Sequence, residues 1–254
     1  MDYRSWNSQV NALSTKYRVV NYSRRCSYPN QNSDCTNSTV ENNTKDLENL
    51  IDKTCSEPVF LIGHSYGGSI IALYASRHPE LVRGLVLIEP YLPAMVVPKS
   101  NVQRISLLIK HPSVVQSGLK SEKNIKTTQE LVKNSKLEGA LDSYYPGTWE
   151  GRDVKVPLSN DVRAAMLDNI ENFMELNSKP PTFNKEDANR LKMPTLIVGG
   201  EYTVKFMKGI ALSLQKTIPD NESIIVANAA HYPYIENPEK CNEAVIKFLS
   251  KHSH

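Results

Sequence analysis

At 254 residues with 40% hydrophobic content, the chain is long enough to bury a sizeable core and is expected to form one α/β domain carrying an insertion. Its formal charge of +3 comes from 30 basic and 27 acidic residues that are interspersed, which argues against a nucleic-acid or other polyanion partner. The start MDYRSWNSQV lacks a basic region followed by an apolar core, and no run approaches the roughly 18 apolar residues of a membrane span, so a cytoplasmic protein without membrane contact is expected.

Trp6, Val10 and Leu13 stand at helical spacing within residues 2–16, and Tyr17 to Tyr22 then read as a strand. Residues 26–44 are rich in Asn, Ser, Thr and Cys and read as a surface loop before a helix from Thr44 to Lys53. Cys26, Cys35, Cys55 and Cys241 show no C-x-x-C spacing, so neither zinc nor a redox dithiol is suggested, and structural thiols are expected. Sequons at Asn21, Asn37, Asn42 and Asn221 read as incidental in an Asn-rich chain.

Val59 to Ile62 form a short apolar run suited to a parallel strand buried on both faces, and Ser69 to Ala75 continue as an apolar helix. Between them stands Gly63-His64-Ser65-Tyr66-Gly67, the G-x-S-x-G pattern that places a serine nucleophile on a sharp strand-to-helix turn. The pattern is weak alone; the strand before it and the helix after it supply its context. Gly63 and Gly67 fit a turn where a Cβ would crowd strand against helix.

Leu81 to Ile88 read as the next buried strand, ending at Glu89-Pro90. Residues 91–191 then break the alternation with helical patterns, such as Ile125 to Val132 and Val162 to Leu176, and no convincing strand. They are expected to form a helical cap, with 1–90 and 192–254 as the core. Pro194 to Gly200 resume the sheet, followed by a helix near Phe206 to Thr217, a strand at Ser223 to Val226, the loop Asn228 to His231, and a last helix from Pro238 to Leu249.

Together, GHSYGG after a strand, a helical insertion after the next strand, PTLIVGGE, and AAHYPYIENP before the last helix resemble the α/β-hydrolase fold family and its small cap-bearing esterase-like and lactonase-like members. The resemblance implies a mostly parallel sheet flanked by helices, with the cap inserted after the strand ending at Glu89. It also implies a triad of Ser65 as nucleophile, His231 as base and an acid, with the Tyr66 N–H as an oxyanion donor. Thr203 stands where the family most often has its Asp, so the acid moves to Glu89, at a position some relatives use, or to Glu201. The family's opening strands and His-Gly oxyanion loop have no counterpart here, and the core is expected to be incomplete at its N-terminal side, marginally stable and weakly active, with the Tyr17 to Tyr22 strand either closing up on the Val59 to Ile62 strand or leaving both edges open. The function expected is hydrolysis of a small carboxylic ester or lactone through an acyl-enzyme on Ser65, with no metal or organic cofactor. A carbon–carbon bond hydrolase with the same triad, or a non-catalytic ligand-binding or scaffold protein on a degenerate hydrolase fold, are the alternatives. Tyr144, Tyr145 and Trp149 are candidates for the pocket wall or for plain core.

Overall fold

The structure, a computed structural model, describes residues 1–31, 38–98, 100–172 and 181–253. A short 3₁₀ turn leads into helix α1 (Asn7–Leu13), and α2 (Val40–Thr54) follows, the side chain of Thr39 accepting from the Asn42 N–H in its first turn. Strand β1 (Val59–His64), helix α3 (Tyr66–Arg77) and strand β2 (Val82–Ile88) come next. Between β2 and the next strand lie α4 (Asn101–Lys110), α5 (Pro112–Lys133), α6 (Leu137–Gly147), α7 (Asn160–Leu167) and the short α8 (Lys185–Asn189). The chain closes with β3 (Thr195–Gly200), α9 (Lys205–Thr217), β4 (Asn221–Val226), α10 (Pro233–Glu236) and α11 (Pro238–Lys251).

The four strands are all parallel, in the order β1-β2-β3-β4. Position in the sheet explains composition. β2 and β3 lie inside, every residue of β3 is buried, and both read as the continuous Leu/Val/Ile runs that a two-sided strand requires. The outer strands alternate more: Glu222, Ser223 and Ile225 of β4 are exposed. Successive β2 side chains serve opposite faces, as the two-residue period dictates. Leu85 and Leu87 join α2, α3 and α9 in one core cluster, whereas Val86 and Ile88 join α1, α6 and α11 in the other.

Two expectations about this part of the chain need correction. Residues 17–24 form no strand; Tyr17, Val19, Val20 and Tyr22 instead line one wall of a cavity of about 730 Å³ whose opposite wall is β1. Extended backbone becomes a strand only when a partner lies close enough to bond, and the cavity holds the two apart. Among the described residues β1 therefore pairs with β2 alone and keeps its other edge open, the second of the two arrangements foreseen for it. The other correction concerns thiols: Cys26 is disulfide-bonded, Cys55 and Cys241 are free, and Cys35 and the sequon at Asn37 lie outside the described residues.

The helical pattern from Val162 to Leu176 appears as α7 and a further turn at 170–172, and its remainder lies outside the described residues. Among the described residues from 91 to 191 there is no strand, apart from a single bridge between Trp149 and Thr203. No helix among the described residues is long and apolar enough to cross a membrane.

Candidate active site

Strand β1 delivers the chain to Ser65, whose φ of 51° and ψ of −116° lie outside the ordinary regions for a residue with a Cβ. The turn is held from both sides: the Ser65 N–H donates to the Ile88 carbonyl, and the Ser65 carbonyl accepts from the Tyr91 and Ser69 N–H groups. Close packing explains the glycines, with one change from expectation. A Cβ on Gly63 would sit 2.7 Å from the Gly67 carbonyl oxygen, and one on Gly68 would sit 2.9 Å from Cβ of Pro90, but one on Gly67 would meet nothing within 4 Å. The crowding on the helix side thus falls on Gly68.

β2 ends at Glu89, which also has a positive φ, of 44°, and is buried with 3% of its surface exposed. Its carboxylate accepts from the Gly200 N–H at 2.9 Å and from the Thr203 hydroxyl at 2.7 Å. The second oxygen also faces Nδ1 of His231 at 3.3 Å, while Nε2 of that ring lies 3.0 Å from Oγ of Ser65. The ends of β1, β2 and β3 and the loop after β4 thereby bring Ser65, His231 and Glu89 into one line. Glu201 is not in it: its carboxylate turns to the Asn228 N–H at 3.0 Å. Thr203, which carries no charge, instead donates its hydroxyl to the Glu89 carboxylate.

Several residues that hold this line did not stand out in the sequence. Glu236 accepts from the Ala230 N–H at 2.6 Å, the Tyr232 N–H at 3.1 Å and the Tyr145 hydroxyl at 3.0 Å, which clamps the loop on both sides of His231. Burial raises its pKa from the usual carboxyl value. Gly200 lets that loop approach, since a Cβ there would stand 2.0 Å from the Ala230 carbonyl oxygen. His64 donates from Nε2 to the His231 carbonyl at 2.6 Å, because a carbonyl can only accept. Burial first, and the neighbouring His231 second, push the His64 pKa well below 6.5, and the ring stays neutral. The signals in the sequence were local: Glu236 sits in a helix-opening HYPYIENP stretch and His64 inside the elbow, but nothing in spacing says which backbone groups they meet.

Ser65 and His231 open onto a second cavity, of about 830 Å³, whose other walls include Leu107, Val114, Ile125 and Tyr144 from the helices between β2 and β3. Tyr66 follows Ser65 as the first residue of α3, so its N–H belongs to the helix-start groups that lack an intrahelical acceptor. Tyr144 lines this cavity, whereas Tyr145 and Trp149 are buried core, 5% and 1% exposed. Among the described residues no group of three His, Cys, Asp or Glu side chains is arranged to hold a metal ion.

A family model described as alpha/beta hydrolase fold matches residues 2–238. A pyrethroid hydrolase from Sphingobium wenxiniae is 24% identical over 82% of this chain and 69% of its own length. A 2-hydroxy-6-oxononadienedioate/2-hydroxy-6-oxononatrienedioate hydrolase from Paraburkholderia phymatum is 23% identical over 85% of this chain and 71% of its own. Among solved structures, a bromoperoxidase from Bacillus anthracis superposes with a TM-score of 0.73 at 21% identity, covering 98% of this chain and 88% of that one, a likeness of fold.

Proposed function

Because the chain belongs to the alpha/beta hydrolase fold family, we propose that it is a serine hydrolase cleaving a carboxylic ester or lactone through an acyl-enzyme on Ser65. The observation that carries this reading is the continuous line from the Ser65 hydroxyl through His231 to the Glu89 carboxylate, with contacts of 3.0 and 3.3 Å. In the proposed first step Nε2 of His231 takes the hydroxyl proton as Oγ attacks the carbonyl carbon, and the same nitrogen then returns that proton to the leaving alkoxide. Glu89 holds the ring by Nδ1–H and stabilises the imidazolium that forms. The Tyr66 N–H, at the positive end of α3, faces the developing oxyanion. Water activated by His231 then releases the acid, and no step calls for a metal or organic cofactor.

We read residues 91–191 as a cap over the 830 Å³ cavity, since those helices supply walls that the core does not. The same three side chains would serve carbon–carbon cleavage, and the similarity to the Paraburkholderia 2-hydroxy-6-oxononadienedioate/2-hydroxy-6-oxononatrienedioate hydrolase keeps that reading next in line. The disulfide at Cys26 favours an oxidising setting over the cytoplasmic one expected from the MDYRSWNSQV start and the lack of an apolar span.

Covalent labelling tests the nucleophile. A fluorophosphonate is expected to modify Ser65, and Ser65→Ala and His231→Ala are each expected to abolish most short-chain ester turnover. The double variant should be little worse than either, because groups acting as one unit do not lose activity additively. Turnover that survives Ser65→Ala would overturn Ser65 as the nucleophile, and a natural chain that neither takes the label nor turns over ester would favour a binding or scaffold role.

A further inference from the structure

Arg24 stands on the wall of the Ser65 cavity with no anion among the described residues to neutralise it. Its guanidinium carbon lies 5.1 Å from the centroid of the Tyr66 ring, and its Nη1 is buried with no hydrogen-bond partner among the described residues. Arg24, Ser65 and Tyr66 line both large cavities, so the guanidinium shares the space onto which the Ser65 hydroxyl opens. The neighbouring Arg25 shows the ordinary alternative: it makes a two-pronged pair with Asp46, at 2.6 Å for each contact.

The surroundings of Arg24 add no compensation. The groups that act on it through charge are the phenols of Tyr66, Tyr22 and Tyr234, none of which is ionised near neutral pH. On its other sides are the Met1 amino group and His64, both held toward their neutral forms first by burial. Burial also lowers the pKa of the guanidinium itself. A cation with a buried, unmet N–H is unfavourable unless something supplies the missing anion, and among the described residues no carboxylate is directed at it.

We propose that Arg24 is an anion subsite of the Ser65 cavity and holds a carboxylate carried by the substrate. The planar fork of a guanidinium matches the two oxygens of a carboxylate, whose single negative charge balances the one positive charge of Arg24. Apolar residues such as Val96, Leu107, Val114 and Phe206 line much of the cavity around it, with Arg104, Glu122 and Lys126 also on its walls. A substrate that fits both features has a short apolar body, an ester or lactone carbonyl at Ser65, and a free carboxylate at Arg24. This assignment of substrate class rests on Ser65 being the nucleophile.

Two matched esters test it, 4-nitrophenyl hydrogen glutarate and 4-nitrophenyl valerate, which share acyl-chain length and differ in the terminal carboxylate. The natural chain is expected to favour the glutarate ester in kcat/KM, and Arg24→Gln to lower the glutarate value about 10- to 100-fold more than the valerate value, the range for a charge-assisted hydrogen bond. Arg24→Lys, which keeps charge without the fork, should fall between them. Calorimetric binding of the glutarate ester to Ser65→Ala, with and without Arg24→Gln, reads the subsite without turnover, and a thermal melt shows that each variant folds. Equal loss on both esters, or no carboxylate preference in either the rate or the binding measurement, overturns the subsite. Arg24-dependent binding in a protein that hydrolyses neither ester would leave the subsite standing and sink the nucleophile reading instead.

Discussion

Glu89 and His64 meet the same histidine from opposite sides, and each makes a distinct prediction. Glu89→Gln removes the charge facing Nδ1 while keeping shape, so turnover should fall by about 10⁴-fold, the size seen when a triad acid becomes an amide, with the melting temperature little changed. Glu201→Gln loses only a contact to the Asn228 N–H and should be mild; the reverse ranking of the two variants in ester kinetics would refute the assignment. His64 acts on stability. Its pKa is depressed in the folded chain, so below about 6.5 the unfolded state binds the extra proton and stability falls as the pH drops, whereas above that value the contribution is fully present. Thermal melts should therefore show His64→Gln losing less stability between neutral pH and mild acid than the natural chain does. Parallel pH curves for the two would mean that His64 is not the group titrating. The juxtaposition of Ser65 and His231 was legible through the elbow and the post-strand loop, and the threonine at position 203 directed attention to Glu89, whose carboxylate faces the His231 ring. Glu236, Gly200 and Arg24 stayed hidden because their partners are backbone groups, a bare approach distance and an absence, and none of these leaves a pattern in residue type.

At the scale of elements, the apolar runs legible in the sequence became β1 to β4 because burial on two faces is written directly into composition. The strand assigned to Tyr17–Tyr22 failed for a complementary reason: apolar alternation says that a segment can be pleated, but pairing depends on what lies beside it, and a cavity does. α2 begins at Val40 rather than Thr44 because Thr39 caps it, a local signal hidden inside a polar stretch. The elbow gives the sharpest test at this scale. Gly68→Ala drives a Cβ to 2.9 Å from Pro90 Cβ and 3.3 Å from the Gly63 carbonyl, contacts between rigid parts of α3, β1 and the end of β2. Gly67→Ala meets open space within a helix, where alanine is preferred by about 0.5 to 1 kcal/mol. Denaturant melts should thus show Gly67→Ala neutral or stabilising and Gly68→Ala clearly destabilising. Equal losses for both would show that the helix is not docked as closely as these distances state.

For the molecule as a whole, the open edge of β1 is the feature with the widest consequence. In a parallel ladder alternate residues direct their N–H groups to either side, so every second amide from Val59 to His64 bonds to β2 and the others face the 730 Å³ cavity. An edge that presents unpaired donors and acceptors is a template for another strand, and natural proteins cover or twist such edges. Here the covering is incomplete: residues 17–24 form the far wall without bonding, and β1 itself is only partly buried while β2 and β3 are enclosed on both sides. Amide hydrogen exchange should therefore alternate along β1, with the cavity-facing positions orders of magnitude less protected than their neighbours and than the amides of β2 and β3, since exchange follows the local cost of opening. Measuring at two protein concentrations separates the possible exceptions. Uniform protection of β1 at both would mean that some part of the chain covers the edge in solution, contrary to the open cavity described. Protection that appears only at the higher concentration would mean that the edge pairs with a second copy, the association that an unguarded strand invites.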